Sequence, residues 1–249
     1  MKSIALLTAL LAFTAATRAA VTETFKQSYP LTADGTVHLD NLNGDIDIVA
    51  WDKPEVAVEA EKRAKNDEQL KRIEIMVDAQ PAKLSIKTKY AKHAGWSLFG
   101  HNEGAVRYKL MVPAGARLDK IDSVNSDIGV TNVHGAVNLN TVNGGITATG
   151  LTADARLESV NGSLRAQFAS FTQVRSIHLE SVNGRLEITL PKGANATLKT
   201  ESVNGSSSVD QPIKLSHSGK HDLAGEIGSG GGPTILLETV NGGITVREK

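Results

Sequence analysis

Apolar and polar residues alternate on both sides of an Asn that recurs through the chain. An apolar residue stands four positions before the Asn in six of seven copies, and apolar residues stand three and five positions after it in at least six. Alternation with a period of two is typical of a strand that buries one face. Each copy therefore predicts two short strands with a corner between them. The corner residues are Asn43, Asn125, Asn143, Asn161, Asn183, Asn204 and Asn241.

The corner is usually Val-Asn-Gly, which suits a tight change of direction because Asn tolerates the left-handed backbone region and Gly adopts it freely. We predict that all seven Asn residues are structural turn residues. If the copies stack, their side chains are able to hydrogen-bond in a ladder. Ser126 replaces the Gly in one copy and Ser206-Ser207-Ser208 replaces an apolar strand in another, so we expect those two coils to be irregular.

The spacing of the corners favours a solenoid. From Asn125 onwards, successive corner Asn residues are 18, 18, 22, 21 and 37 residues apart. Similarity at a fixed period of roughly 20 residues is typical of units that bury their apolar faces by stacking. The last gap is close to two periods, which predicts a degenerate coil within residues 211–233. Asn-Gly is also a strong hairpin signal, so an antiparallel meander with the same core stays open as an alternative.

The first half of the chain is less regular. Asn66 followed by Gln69 is typical of a helix N-terminus and predicts a helix of two or three turns that ends near Ile73. Residues 91–105 do not alternate and contain several Gly residues, so we predict a loop there. Trp96 and Phe99 in this loop are a candidate contact site for a sugar or a protein; the alternative is that they fold over the end of the core. Alternation predicts strands within residues 37–50, 56–60, 73–77, 83–89 and 107–112.

The N-terminus has the composition of a signal peptide. Lys2 precedes an apolar stretch at 4–16, and Thr17-Arg18-Ala19 is a small-x-small cleavage site. The predicted organisation is a signal peptide at 1–19, a β region at 20–112 that holds the first repeat copy and the short helix, and a β-solenoid region at 113–249 continuous with it. No second apolar run of membrane length follows. We expect an exported protein, periplasmic or secreted, with no transmembrane segment.

Composition narrows the classes of function. The chain has no Cys, so it has neither disulfides nor a lipid-modified cysteine. Its 27 Lys and Arg residues balance 27 Asp and Glu residues, so the net charge gives no reason to expect binding to nucleic acid. The His residues lack zinc spacing, and the recurring Ser lacks a consistent His and Asp arrangement. We predict no catalytic, cofactor-binding or metal-binding residue and no cofactor.

One column of outward residues has two interpretations. The position three before the Asn is acidic in six copies, and stacked carboxylates about 5 Å apart are the arrangement of a retaining glycosidase or of a hard-cation site. The position two residues earlier carries cationic residues, which favours cross-strand ion pairs on a solvated sheet. We favour the ion pairs. The acidic residues are Asp40, Asp122, Glu158, Glu180, Glu201 and Glu238, and the cationic ones are Lys120, Arg156, His178 and Lys199.

The repeated Val-Asn-Gly corners, the opening at 39–51 and Val112-Pro113-Ala114-Gly115 together resemble the bacterial putative-adhesin family of β-strand-repeat domains, which is of unknown function. The likeness covers about 37–246. It implies an exported, right-handed β-helix-like domain and supplies no enzymatic residues.

Export, repeats and the lack of a catalytic pattern favour a non-enzymatic cell-envelope protein. We expect an adhesin-like binding or scaffold role toward an envelope polysaccharide or protein, through the surface of the solenoid. Two alternatives stay open. One is a polysaccharide-cleaving β-helix enzyme that uses Glu158 and Glu180, and the other is a periplasmic stress or assembly factor.

Overall fold

The computed structural model describes residues 20–91 and 104–249. These residues form nineteen strands and one short helix. The elements are β1 Val21–Pro30, β2 Thr36–Asp40, β3 Ile46–Trp51, β4 Glu55–Ala64, α1 Asp67–Leu70, β5 Ile73–Gln80, β6 Lys83–Tyr90, β7 Ala105–Pro113, β8 Arg117–Asp122, β9 Ile128–Thr131, β10 Val137–Asn143, β11 Ile146–Asn161, β12 Leu164–Asn183, β13 Leu186–Leu190, β14 Ala196–Asn204, β15 Ser207–Val209, β16 Ile213–Ser218, β17 Asp222–Ile227, β18 Thr234–Asn241 and β19 Ile244–Glu248.

Each repeat copy forms one coil, in which one strand leads into the Asn corner and a second strand leaves it. Neighbouring coils pair in parallel and in register, so that Leu139 lies beside Leu157 and Asn143 beside Asn161. The predicted all-β solenoid is therefore confirmed, and the antiparallel meander is wrong for the repeats. Like residues stack on like residues because parallel strands of matching sequence pair without an offset.

The coils build two long sheets with the core between them. We call the strands that enter the corners the leading sheet and the strands that leave them the trailing sheet. Inward side chains of both sheets, such as Leu157 from the leading sheet and Leu164 from the trailing sheet, are fully buried in one cluster. The long strands β11 and β12 each contribute to both sheets, because they continue from one corner to the next.

The order of the coils in space differs from their order in the chain at both ends. The last coil, β18 and β19, pairs in parallel with β12 and β13 on one side and with β14 and β15 on the other. It is thus inserted inside the stack. At the opposite end, β6 and β7 pair in parallel with the outer sides of β2 and β3, while β8 and β9 pair with their inner sides.

Antiparallel strands cover both ends of the stack. β4 pairs with β7 and β1 with β4 at one end, and β17 pairs with β14 and β16 with β17 at the other. The degenerate coil predicted within 211–233 is therefore wrong. That segment lacks an Asn-Gly corner and folds back as a hairpin, which satisfies the backbone groups along the open side of β14.

Polar pairs stand at inward positions of the two outermost coils, whereas Ser126 lies in an inner coil. Thr200 and Ser207 stand where other coils have Leu and Ile, and their hydroxyl groups are 2.8 Å apart. In the coil at the other end, the hydroxyl groups of Thr88 and Tyr108 are 2.7 Å apart. Burial raises the pKa of Tyr108 to about 12, although its hydrogen bond to Thr88 opposes the shift.

The N-terminal helix is a single turn, shorter than the two or three turns expected. The side chain of Asn66 accepts a hydrogen bond from the backbone N–H of Gln69 at 2.9 Å, as the sequence indicated. The turn ends at Leu70 because Ile73 begins β5, which pairs along its whole length with β6.

The inserted position of the last coil has a measurable consequence. Leu237→Ala removes a side chain with 0% exposure and should lower the free energy of unfolding by about 2–5 kcal/mol. Val240→Ala is the matched control on the same strand, with a side chain 39% exposed, and should cost about 0.5 kcal/mol or less. Urea unfolding followed by circular dichroism measures both. Equal, small losses in the two variants would contradict an interior position for β18.

Candidate functional site

The seven corner Asn residues form one continuous ladder. Six of the seven side-chain amides donate to the Oδ1 atom of the Asn in the next coil, with distances of 2.6–3.0 Å. The ladder follows the order in space, so Asn241 lies between Asn183 and Asn204. At its end the amide of Asn43 donates to the carbonyl of Gly104 at 3.3 Å. The amide groups of all seven residues are therefore engaged in hydrogen bonds within the protein.

A second ladder runs just inside the first, two residues before each Asn. Ser159 donates from its hydroxyl to the carbonyl of Gly144 in the neighbouring coil at 2.9 Å, and Ser181 does the same to Gly162 at 3.0 Å. These hydroxyl groups are buried, and each satisfies a backbone carbonyl of the corner. The recurring Ser is therefore structural.

The glycines of the corners allow the coils to approach closely. A Cβ atom built on Gly162 would lie 1.8 Å from the carbonyl oxygen of Gly144, and one on Gly242 would lie 2.0 Å from that of Gly184. In the one coil with Ser126 in place of Gly, the corner joins its neighbours through isolated bridges at Asn125. The hydroxyl of Ser126 donates to the carbonyl of Gly44 at 2.7 Å.

The acidic column on the leading sheet is held in ion pairs. Lys199 contacts Glu201 at 2.6 Å, Lys120 contacts Asp122 at 3.3 Å, and Arg156 contacts Glu158. The hydrogen bond and the charge of Glu201 raise the pKa of Lys199. These three pairs each join two residues of one strand. A cross-strand pair of the kind that we favoured joins Lys87 of β6 to Asp40 of β2 at 2.6 Å.

Glu158, His178 and Glu180 nevertheless bring one ligand atom each within 4.8 Å of one another. Nε2 of His178 lies 3.0 Å from a carboxylate oxygen of Glu238, and its Nδ1 lies 2.6 Å from a guanidinium nitrogen of Arg156. Both ring nitrogens of His178 therefore have protein partners. A guanidinium beside the imidazole also disfavours a cation there, because like charges repel.

A row of aliphatic side chains lies outside the Asn ladder, one residue before each Asn. The sequence pattern places these residues in the corner but does not show that they are exposed. Val160 and Val182 are 41% and 40% exposed, and Val203 in the outermost coil is 60% exposed. The row supplies an apolar strip next to the acidic column. Its exposed members are Leu42, Val142, Val160, Val182, Val203 and Val240.

A groove crosses the outer face of the trailing sheet and is the candidate functional site. It has a volume of about 650 Å³ and passes over five neighbouring coils, from β3 to β13. The outward positions along its middle carry small residues, so the neighbouring side chains form walls around a low floor. These floor residues are Gly129, Gly145, Thr147 and Ser163.

The two ends of the groove carry opposite charges. Asp45, Asp47 and Asp127 line one end, and Arg165 and Arg185 line the other. Asp127 accepts a hydrogen bond from the backbone N–H of Gly145 at 2.7 Å. Within residues 20–91 and 104–249, no cationic group pairs with Asp47 or Asp127, and no acidic group pairs with Arg185.

The groove was not predicted from the sequence, because the acidic column before the Asn is the more regular pattern. The groove residues stand two and four positions after the Asn, on the other sheet. The signal was present in the aligned copies, where the second position changes from Asp45 and Asp127 through small residues to Arg185. The other predicted contact site, Trp96 and Phe99, lies outside the described residues.

None of the helical structure in the described part of the chain has the length and apolar character needed to span a membrane. The family model for Toastrack DUF4097 matches residues 30–247. No curated protein shows a significant match.

Among solved structures, a putative cell adhesion protein from Clostridium sporogenes is similar, with 14% identity, coverage of 91% of this chain and 100% of that one, and a TM-score of 0.54. A putative adhesin from Bacteroides fragilis has 10% identity, coverage of 91% and 97%, and a TM-score of 0.42. At these identities the first likeness supports the fold alone, and it agrees with the resemblance found in the sequence.

The close approach at the corners predicts different effects for two adjacent glycines. Gly242→Ala should lower the free energy of unfolding by about 1–3 kcal/mol, because the new methyl group meets the backbone of the next coil. Gly243→Ala, whose Cβ would lie 3.6 Å from the nearest backbone oxygen, should change it by about 0.5 kcal/mol or less. Chemical denaturation measures both. A harmless Gly242→Ala would mean that the coils are not this close.

Proposed function

Because this chain belongs to the Toastrack DUF4097 family, we propose that it is an exported, non-enzymatic envelope protein that binds an extended polymer or a partner protein through the surface of its solenoid. The family resemblance implies right-handed coils, and we include that sense of winding in the proposal; a crystallographic map with left-handed coils would refute it. We further propose one continuous domain that follows a signal peptide at 1–19.

The observation that carries the binding role is the groove on the trailing sheet. It extends over five coils, which gives an extended ligand contacts along its length. Asp47, Asp127 and Arg185 at its ends have no ion-pair partner inside the described chain, while charges on the leading sheet are paired. An exposed charge without a partner remains free to contact a ligand. The similar protein from Clostridium sporogenes is a putative cell adhesion protein, which is in keeping with such a role.

The enzymatic alternative receives less support. Glu158 and Glu180 lie side by side on adjacent coils, as that hypothesis requires. However, the carboxylate of Glu158 is already in contact with the guanidinium of Arg156 on its own strand. We therefore propose that the column serves the surface of the sheet rather than glycan cleavage.

Export predicts a defined mature N-terminus. When the full chain is expressed with its own leader in a Gram-negative host, N-terminal sequencing of the exported protein should begin at Ala20, because Thr17-Arg18-Ala19 supplies the cleavage site. A variant with Ala19→Lys should remain uncleaved, because a signal peptidase requires a small residue there. An exported chain that still begins at Met1 would contradict the signal peptide.

The binding role predicts retention of an envelope component. Residues 20–249, immobilised on a resin, should retain a cell-wall polymer or an envelope protein from a solubilised envelope fraction. An excess of the same soluble chain should displace it, and the heat-unfolded chain should retain none. Mass spectrometry and sugar analysis identify the retained material. If the folded chain retains no more than the unfolded chain, the proposed function is wrong.

A further inference from the structure

We infer that the groove on the trailing sheet binds an extended peptide that carries an ammonium group at one end and a carboxylate at the other. The ammonium group lies against Asp47 and Asp127, and the carboxylate against Arg185. This inference rests on the proposed binding function and specifies the ligand of that function.

The charges at the ends of the groove set the chemistry of the ligand. Asp47 and Asp127 stand on adjacent coils at one end without a cationic partner in the described chain, and Arg185 stands at the other without an acidic one. Among the nearby charges, Arg165 lies 3.2 Å from Glu187 and Arg247 lies 2.9 Å from the same carboxylate. Lys109 stands beside Asp47 on β7 without an ion pair in the described chain. The groove therefore presents a separated pair of opposite charges, which a ligand of matching polarity neutralises.

The separation of the charges sets the length of the ligand. Register pairing places Asp47 beside Gly129, Gly129 beside Thr147, Thr147 beside Arg165 and Arg165 beside Glu187. Arg185 is in the same coil as Glu187, so it lies three coils from Asp127 and four from Asp47. At one strand spacing per coil this is about 14–19 Å, which an extended peptide of about five residues spans.

The floor of the groove favours a peptide over a glycan. Within 20–91 and 104–249 no aromatic side chain lines it, so a sugar ring finds no apolar face there on which to stack. A neutral glycan would leave both charged ends unmatched, and an acidic glycan would be repelled by the Asp end. A peptide with free termini, or with a Lys and an acidic side chain at its two ends, matches both. The small floor residues leave room for its backbone.

The ligand contacts side chains and does not add a strand to the sheet. The strands beneath the groove are paired on both sides, since β9 lies between β3 and β11. Their backbone groups are thus already engaged, and recognition rests on the charged ends together with Thr147 and Ser163. Because exposed charges dominate, binding should weaken as ionic strength rises.

The experiment uses residues 20–249 and isothermal titration with a Gly-rich pentapeptide that has free termini. N-acetylation of the peptide should weaken binding about three- to tenfold, and so should C-terminal amidation. Asp47→Asn should weaken binding of the free peptide to a similar extent but should add little to the effect of N-acetylation. Arg185→Gln should likewise weaken binding of the free peptide but should add little to the effect of C-terminal amidation. Such non-additive losses are expected for groups that interact directly.

Three controls make the test specific. Asp52→Asn and Arg175→Gln make the same charge changes at exposed positions outside the groove and should leave binding unchanged. Thr147→Trp fills the middle of the floor without a change of charge and should abolish binding. Circular dichroism melting confirms that each variant is folded. Equal losses in the control variants, or full binding by Thr147→Trp, would overturn the inference.

The source of the peptide is tested in parallel. A free pentapeptide is compared with soluble cell-wall fragments whose peptide arms carry the same charged ends, and tighter binding of either supports the inference and identifies the source. Binding of uncharged glycan alone would overturn it. If the immobilised chain retains an envelope component but Asp47→Asn and Arg185→Gln retain it equally well, this inference fails while the proposed function stands.

Discussion

Parallel pairing in register between successive coils is the constraint on which the rest of the structure depends. It sets each coil one strand spacing from the next and places equivalent residues in columns. Only side chains that tolerate a copy of themselves as neighbour are suitable in such a column. Leu and Ile pack on their copies in the core, and an Asn amide donates to the next Asn, as between Asn161 and Asn143.

The same constraint acts on the outer surface with a different result. A column of carboxylates repels itself, so each needs a cation nearby, and the leading sheet supplies these cations from its own strands, as Lys199 does for Glu201. The trailing sheet avoids this repulsion because the residue in its outward column changes from coil to coil. Its outward column passes from Asp47 to Gly129 and Thr147, and the resulting gap between unlike charges is the groove. Variation between the copies of the repeat thus creates the groove.

The outermost strands of such a stack must be covered, because their unpaired backbone groups would otherwise pair with another chain. This protein ends both sides with antiparallel strands, β4 on β7 and β17 on β14. The outermost coils also replace apolar pairs by polar ones, as with Thr200 and Ser207. Insertion of the last coil inside the stack places the apolar Leu237 and Ile244 in the core and leaves the polar coil outside.

The sequence by itself determined the units of this fold. The alternation around each Asn predicted two strands and a corner, and the near-constant spacing predicted stacking, because both depend on contacts within one unit or between like units. It also indicated the N-cap at Asn66. The order of the coils was decided only in the tertiary structure, since every repeat offers nearly the same edge to every other and local pattern cannot choose between them. Ser207 was one indication of the order of the coils, because a polar residue at this inward position is accepted only in a coil at the end of the stack. The groove likewise depends on which coils become neighbours, because Asp47 and Asp127 are far apart in the chain and meet only when β9 pairs with β3.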